Sequence, residues 1–258
     1  MEKLKITNRK KQKVVVVVEK PIKPRGLVFV MHGLSGSKEQ LHIQTFRQAF
    51  KDKGYTVVAF DTTNTFGQSD GAYENATMTN YYEDLEDVIQ WAKTQAWYQE
   101  PFYLAGHSIG GYGTAFYAEN YPSKVKAVAP ISTVVSGKLT LEVRPKSQVE
   151  AWRKTGWLIE ESKSKPGLIK KLKWTFAEDS LGHDLLPKAG KLTMPVLMMV
   201  GEKDDGTPLK QQQLLYDRLP GQKELHVIKG ALHTFYEEAH LEEIREIFKD
   251  WIDKVDNG

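Results

Sequence analysis

Residues 102–111 have the sequence FYLAGHSIGG, in which an apolar run leads into a serine flanked by glycines. Residues 102–105 predict a buried strand and residues 108–119 predict a helix, so the serine stands at a sharp turn between them. Such a turn holds a serine hydroxyl out of the sheet, where it can act as a nucleophile. Small residues flank it because a larger side chain would strike the neighbouring strand or helix. Ser108 is therefore the candidate nucleophile.

A second segment, residues 67–71, fits the same Gly-x-Ser-x-Gly pattern around Ser69. Ser69 lies several residues beyond the strand predicted at 55–60, in a polar stretch, and no helix signal follows it directly. We interpret Ser69 as a loop residue and not as a nucleophile.

A nucleophilic serine needs a base and an acid that orients the base. His233 follows the strand predicted at 224–228, on a loop from which an imidazole can reach Ser108. Asp204 and Asp205 both follow the strand predicted at 196–200, and the order Ser, Asp, His along a chain is a known one for such triads. The residues alone leave the choice between the two aspartates open.

Backbone N–H groups are expected to stabilise the charge that develops on the substrate oxygen. Ile109, the residue after the candidate nucleophile, offers one such N–H. Leu34 offers the other, in the glycine-containing loop of residues 32–36 that follows an apolar strand. We expect His32 and His107, which flank these groups, to pack or to hydrogen-bond within their own loops and not to carry acid–base chemistry.

Eight apolar segments with the character of strands alternate with segments of helical periodicity. The first two strands form an expected hairpin, and the valine run at 14–18 suits a strand buried on both faces. This alternation predicts an α/β fold with a mainly parallel sheet, helices on both faces and reactive groups at the carboxyl ends of the strands. The predicted strands are 4–7, 14–18, 26–31, 55–60, 102–105, 125–131, 196–200 and 224–228, and the predicted helices are 38–53, 79–93, 108–119, 208–218 and 241–255.

About sixty residues without a clear strand precede the seventh predicted strand, too many for an ordinary connection. Apolar residues recur there among many Lys and Glu, which predicts two or three amphipathic helices in an inserted cap, with a break at Pro166-Gly167. The tryptophans of this segment, Trp152, Trp157 and Trp174, either bind substrate or pack the cap against the main domain.

Composition limits the other possibilities. The formal net charge of +3 is too small to indicate a nucleic-acid partner, and the absence of cysteine excludes disulfides, thiolate metal sites and a cysteine nucleophile. No stretch approaches the length of a membrane span and no leader is recognisable, so a cytoplasmic location is the default expectation. The histidines lack metal-ligand spacing, and we expect no metal and no cofactor. Whether the protein is a monomer or a homodimer stays open.

The chain resembles the α/β-hydrolase superfamily over nearly its whole length, and within it the small bacterial serine esterases grouped with cinnamoyl (feruloyl) esterases and monoacylglycerol lipases. The segments that carry the resemblance are His32-Gly33-Leu34, residues 60–71, the turn around Ser108, residues 201–208 and residues 230–233. In the family pattern the acid lies three residues after a glycine and four before a proline, which selects Asp204. Ile109 departs from this pattern, because a polar residue or Met is frequent after the nucleophile.

The resemblance implies an eight-stranded, mainly parallel sheet with a short helical cap after the sixth strand. The core domain then comprises residues 1–132 and 190–258, and the cap comprises residues 133–189. The implied reaction is hydrolysis of small or medium acyl, aryl or monoglyceride-like esters through an acyl-enzyme. Two alternatives remain, a serine peptidase or amidase of the same fold and a non-catalytic binding protein that has kept the fold.

Overall fold

The structure, a computed structural model, describes residues 1–162 and 167–258. Its strands are β1 (Glu2–Thr7), β2 (Lys13–Glu19), β3 (Leu27–Met31), β4 (Thr56–Phe60), β5 (Phe102–His107), β6 (Val125–Ile131), β7 (Trp157–Glu161), β8 (Ile169–Lys173), β9 (Val196–Gly201) and β10 (Lys223–Ile228). Its α-helices are α1 (Leu41–Asp52), α2 (Met78–Ala92), α3 (Ile109–Asn120), α4 (Gly137–Glu142), α5 (Lys146–Thr155), α6 (Thr175–Ser180), α7 (Leu209–Tyr216) and α8 (Glu238–Asn257).

The main sheet of the described residues has eight strands in the order β1-β2-β4-β3-β5-β6-β9-β10. β1 and β2 form the predicted antiparallel hairpin, and β2 also pairs antiparallel with β4. All other neighbouring strands are parallel, which confirms the predicted mainly parallel sheet. The carboxyl ends of β3, β5, β6, β9 and β10 therefore meet at one edge of the sheet, and the loops that follow them lie side by side.

Two apolar cores cover the two faces of this sheet. Phe29 of β3 belongs to the core beneath α2 and α3, whereas its neighbours Val28 and Val30 belong to the core beneath α1 and α8. The valine run at residues 14–18 is buried throughout β2, as predicted from its β-branched side chains. Burial on both faces leaves the strand ends as the place where polar side chains can converge.

The chain leaves the sheet after β6 and returns to it at β9. The described residues between them form the helices α4, α5 and α6, as predicted. The expectation of helices without a strand is wrong, because Trp157–Glu161 and Ile169–Lys173 form the antiparallel pair β7–β8. In this hairpin Leu158 and Leu172 are buried, while Trp157 and Ile159 are exposed. Burial thus alternates from residue to residue, as it does in a strand with one buried face. The sequence did not indicate these strands, because each contains few apolar residues among Lys and Glu.

The predicted break at Pro166-Gly167 begins at a residue that lies outside the described ranges, and Gly167 itself has a φ of +83°. We propose residues 133–189 as the cap, since the chain is away from the sheet between Ile131 and Val196.

Trp152 is a packing residue of this segment. Only 1% of it is exposed, and its indole N–H donates to the Leu172 carbonyl at 3.1 Å. The ring of Trp174 stands perpendicular to it at 5.4 Å, and the Arg144 guanidinium lies 5.7 Å from its centre. Trp157 is 36% exposed and has Lys173 over its ring. For Trp152 these contacts favour packing over substrate binding, and they lie within residues 133–189 and not between the cap and the main domain.

Within the described part of the chain, none of the helices has the length and hydropathy of a transmembrane segment.

We predict that Trp152→Ala lowers the free energy of unfolding by about 3–5 kcal/mol, because it opens a cavity and removes the partner of the Leu172 carbonyl. Trp157→Ala, in the neighbouring strand β7, is the matched control and should cost about 1 kcal/mol or less. Urea denaturation followed by fluorescence measures both values. Equal losses in the two variants would contradict the assignment of Trp152 as a buried packing residue.

Candidate active site

Ser108 stands at the turn between β5 and α3. Its N–H donates to the Ile131 carbonyl at 2.9 Å, which extends the β5–β6 ladder by one bond, and its carbonyl accepts from the Tyr112 N–H at 3.0 Å. Its backbone has a φ of 58° and a ψ of −120°, in a region that residues with a Cβ rarely occupy. Strain of this kind persists only where the surroundings hold the backbone in place.

The glycines on either side of Ser108 are required by close contacts. A Cβ at Gly106 would collide with the Gly110 carbonyl, and a Cβ at Gly110 would collide with the carbonyl of His32. These collisions confirm the steric reason inferred for the Gly-x-Ser-x-Gly pattern. The turn can therefore close against the neighbouring strand only with hydrogen atoms at these two positions.

His233 and Asp204 lie next to Ser108, on the loops after β10 and β9. The hydroxyl of Ser108 is 3.0 Å from His233 Nε2. His233 Nδ1 lies 3.0 and 2.9 Å from the two carboxylate oxygens of Asp204. Of the two aspartates that the chain order left open, Asp204 thus contacts the imidazole. The arrangement matches a Ser-His-Asp triad, in which the carboxylate fixes the Nδ1–H tautomer of the imidazole and leaves Nε2 free to accept a proton.

Four hydrogen-bond donors keep Asp204 ionised against the opposing effect of burial. Burial alone would raise its pKa, but hydrogen bonds from His233 and Thr207 hold the pKa of Asp204 well below its usual range. The N–H groups of Gly206 and Thr207 lie 2.9 and 2.8 Å from one oxygen, and the Thr207 hydroxyl lies 2.9 Å from the other. Sequence reasoning missed Thr207, although an aspartate followed by turn residues is a known signal for side-chain-to-backbone hydrogen bonds.

The loop after β3 lies directly against the serine. A Cβ at Gly33 would be 3.1 Å from Ser108 Cβ and 3.0 Å from His107 Nδ1, so only glycine fits there easily. A turn closed by the Gly36 N–H and the Gly33 carbonyl at 3.0 Å shapes this loop. Leu34 lies in that turn, and Ile109 directly follows Ser108. The two amides predicted to stabilise an oxyanion are therefore carried by segments that meet at the serine.

A buried ion pair ties the same loop to the loop after β4. Lys38 Nζ lies 2.8 Å from Asp61 Oδ2, and both side chains are fully buried. The predicted helix of residues 38–53 is wrong at its start for this reason, since Lys38 is held by Asp61 and α1 begins at Leu41. Ser69 is buried beside them, where its hydroxyl donates to the Asp61 carbonyl at 2.6 Å. These contacts support the interpretation of Ser69 as a loop residue.

Two buried histidines hold the site without facing solvent. His32 donates from Nδ1 to the Gly33 carbonyl at 2.8 Å and accepts from the Thr62 N–H at Nε2 at 3.0 Å. His107 donates from Nε2 to the carbonyl of His233 at 2.8 Å. His32 therefore bonds within its own loop as predicted. The same expectation is wrong for His107, whose bond joins the end of β5 to the loop of His233. Burial, followed by the nearby His233, lowers the pKa of His107 to about 3, so His107 stays neutral.

Residues 1–162 and 167–258 contain no group of three or more His, Cys, Asp or Glu side chains arranged to hold a metal ion.

Comparison with known proteins gives matches along most of the chain. The model of the family described as "Serine aminopeptidase, S33" matches residues 22–240. The palmitoyl-protein thioesterase ABHD10 of Bos taurus is 26% identical over 242 residues, which cover 90% of this chain and 74% of the relative. A monoacylglycerol lipase of Mycolicibacterium smegmatis is 24% identical over 257 residues, which cover 89% of this chain and 88% of the relative.

Solved structures show a shared fold. Est1E from Butyrivibrio proteoclasticus, solved with ferulic acid bound, superposes with a TM-score of 0.80 at 21% sequence identity. The superposition covers 99% of this chain and 100% of that chain.

The buried His107 makes stability depend on pH. Unfolded histidine has a pKa of about 6.5, so below that pH the unfolded chain takes up a proton that native His107 refuses until pH is about 3. The free energy of unfolding therefore has its full value above about pH 6.5, as far as His107 is concerned, and it decreases as the pH falls towards 3. We predict that His107→Gln, which cannot titrate, makes the acid-side slope of the unfolding free energy shallower by up to about 1.4 kcal/mol per pH unit.

Urea denaturation between about pH 5 and pH 6.5, the window below the pKa of unfolded histidine, gives this slope for both proteins. Identical slopes for the wild-type chain and for His107→Gln would show that His107 is not held neutral by the fold.

Proposed function

Because the chain belongs to the serine aminopeptidase S33 family of hydrolases, we propose that it is a serine carboxylic-ester hydrolase. The fold is that of the α/β-hydrolases, as the sequence resemblance implied. The observation that carries the proposal is the continuous contact from Ser108 Oγ through the His233 imidazole to Asp204, with separations of 3.0 and 2.9 Å. A nucleophile, a base and an acid at these separations support covalent catalysis through an acyl-enzyme.

In the first proposed step His233 Nε2 takes the proton of Ser108 as the serine oxygen attacks the ester carbonyl. The carbonyl oxygen becomes an oxyanion, which the N–H groups of Leu34 and Ile109 stabilise. As the tetrahedral intermediate collapses, His233 gives the proton to the departing alcohol, and the acyl group stays on Ser108. Water activated by His233 then attacks the acyl-enzyme and releases the acid, so the steps need no cofactor.

Asp204 has two proposed roles in this cycle. It accepts the His233 Nδ1–H, which directs the lone pair of Nε2 towards Ser108, and it stabilises the imidazolium after proton transfer. Its low pKa supports both roles, because each of them requires an ionised carboxylate.

The class of substrate is drawn from three similar proteins. Their names cite a palmitoyl-protein thioesterase, a monoacylglycerol lipase and an esterase solved with ferulic acid. An acyl group bound through oxygen or sulfur is common to the first two, and an aryl acid is bound in the third. We therefore propose small or medium acyl, aryl or monoglyceride-like esters as substrates. The residues that bind them, for which Trp157 and Trp174 are candidates, belong to the same proposal.

A second candidate function is cleavage of amide bonds, favoured by the aminopeptidase description of the family. The same three side chains can acylate from an amide, provided that His233 protonates the departing amine. Amides are less electrophilic than esters, so this activity needs additional positioning of the leaving group.

We predict that Ser108→Ala lowers kcat/KM for p-nitrophenyl butyrate by at least about 10⁴-fold, because it removes the hydroxyl that lies beside His233 and forms the acyl-enzyme. Ser69→Ala is the matched control from the second Gly-x-Ser-x-Gly segment. It should cost stability through the lost hydrogen bond to Asp61 but leave the turnover of each folded molecule near the wild-type rate. Steady-state rates, corrected for the folded fraction, measure both.

Equal losses in the two variants, or full activity of Ser108→Ala, would contradict the assignment of Ser108 as nucleophile.

We further predict that the chain cleaves butyryl esters and not the corresponding amide. p-Nitrophenyl butyrate, butyrylthiocholine and butyryl-p-nitroanilide share one acyl group and differ in the bond that breaks. We expect turnover of the first two substrates and not of the anilide, because departure of an amine requires the most precise positioning of the leaving group. Comparable kcat/KM on the anilide would favour the amidase, and no turnover of any substrate would favour a binding protein.

A further inference from the structure

The carbonyl of Gly33 accepts an unusual number of hydrogen bonds. Among the described residues its donors are His32 Nδ1–H at 2.8 Å, the Gly36 N–H at 3.0 Å and the Tyr81 hydroxyl at 3.2 Å. A carbonyl oxygen has two lone pairs, so three donors leave it no freedom to rotate away. The direction of this carbonyl is therefore fixed from several sides.

Fixing the Gly33 carbonyl also fixes the N–H of Leu34. The two groups belong to one peptide unit, which is planar and trans, so they point in opposite directions. The same unit lies against the serine, since a Cβ at Gly33 would be 3.1 Å from Ser108 Cβ. The donors behind the carbonyl thereby control the direction of an amide proton beside the nucleophile.

Tyr81 differs from the other two donors because it comes from outside the loop. His32 and Gly36 belong to the loop and move with it, whereas Tyr81 lies on α2. Its ring is fully buried and meets the His32 ring edge-to-face at 5.7 Å. Burial raises the pKa of Tyr81 to about 12, so the phenol remains protonated and can donate at any physiological pH.

A buried polar network holds α2 in register with the sheet. Asn80 donates to Thr63 Oγ1 at 2.7 Å and to Asp84 at 2.9 Å. Asp84 also accepts the Thr63 N–H at 2.6 Å and the side-chain amide of Asn8 at 2.9 Å. These contacts tie α2 to the loop after β4 and to the turn after β1, so the Tyr81 hydroxyl is a fixed point relative to the sheet.

We propose that Tyr81 is a positioning residue for the oxyanion site, its hydroxyl fixing the Gly33–Leu34 peptide so that the Leu34 N–H faces the substrate oxygen. This proposal rests on the proposed ester hydrolysis, in which the Leu34 N–H stabilises the oxyanion. It requires an effect on the tetrahedral state and not on substrate binding, because the oxyanion forms only after attack.

The test compares Tyr81→Phe with the wild-type chain. We expect kcat for p-nitrophenyl butyrate to fall about tenfold and KM to change by less than about twofold, since one of three constraints on the peptide is lost. The inhibition constant of phenylboronic acid, whose serine adduct is tetrahedral, should rise by about the same tenfold. The pH profile of kcat/KM should keep its shape, because the contacts of His233 are unchanged.

Tyr117→Phe is the matched control. Tyr117 is buried in α3, and its hydroxyl has no hydrogen-bond partner among the described residues, so its removal should leave kcat and boronate binding unchanged. Placing 4-aminophenylalanine at position 81 keeps a donor at the same end of the ring and should restore most of kcat. Urea denaturation of every variant separates loss of folding from loss of positioning.

Either of two results with Tyr81→Phe would overturn the inference and leave the proposed ester hydrolysis standing: an unchanged kcat, or a loss of kcat without weaker boronate binding. A similar loss in Tyr117→Phe would also overturn it, since the effect would then be merely structural. If the wild-type chain cleaves none of the butyryl ester, the proposed function fails first and the inference fails with it.

Discussion

At positions 106 and 110, the turn between β5 and α3 is too tight for any side chain larger than that of glycine. This steric constraint fixes the backbone that carries the Ser108 hydroxyl. The backbone at Ser108 adopts a φ of 58°, a conformation that costs about 1–3 kcal/mol in general. The ladder bond to Ile131 and the start of α3 hold it there. Once the hydroxyl is fixed, each other group of the site must reach it from a loop at the same sheet edge.

Polar contacts between loops, in addition to apolar packing, bring these groups together. His107, the last residue of β5, donates to the backbone of His233, so the strand that precedes the proposed nucleophile also positions the loop of the proposed base. The Thr207 hydroxyl lies 2.9 Å from both Asp204 and the Ser132 carbonyl, at the ends of β9 and β6. Because such groups are buried, their protonation states are coupled to folding, and the neutral His107 is the clearest case.

Local sequence patterns were sufficient for much of the fold. The valine run of β2 and the strand–serine–helix turn each contain their own steric reason, so their structures could be predicted from neighbouring residues. Asp204 could not be separated from Asp205 in that way, because both follow β9 and the contact with His233 depends on how the turn at Gly206 and Thr207 folds. The family resemblance selected Asp204, and the contacts of its carboxylate explain the selection.

The features that were missed depend on distant contacts. The hairpin β7–β8 buries Leu158 and Leu172 among charged residues, and both leucines belong to the same apolar cluster as Trp152. His107 and His233 are 126 residues apart, so no spacing rule could have joined them. The hydroxyl of Tyr81 reaches Gly33 across 48 residues in the same way.

Covalent labelling tests whether His233 activates Ser108. A fluorophosphonate reacts with an activated serine by displacement of fluoride, and peptide mass spectrometry then locates the phosphonyl group. We predict one phosphonyl group, on the peptide that contains Ser108, and none at Ser69. An unlabelled chain, or a label on Ser69 in place of Ser108, would contradict it.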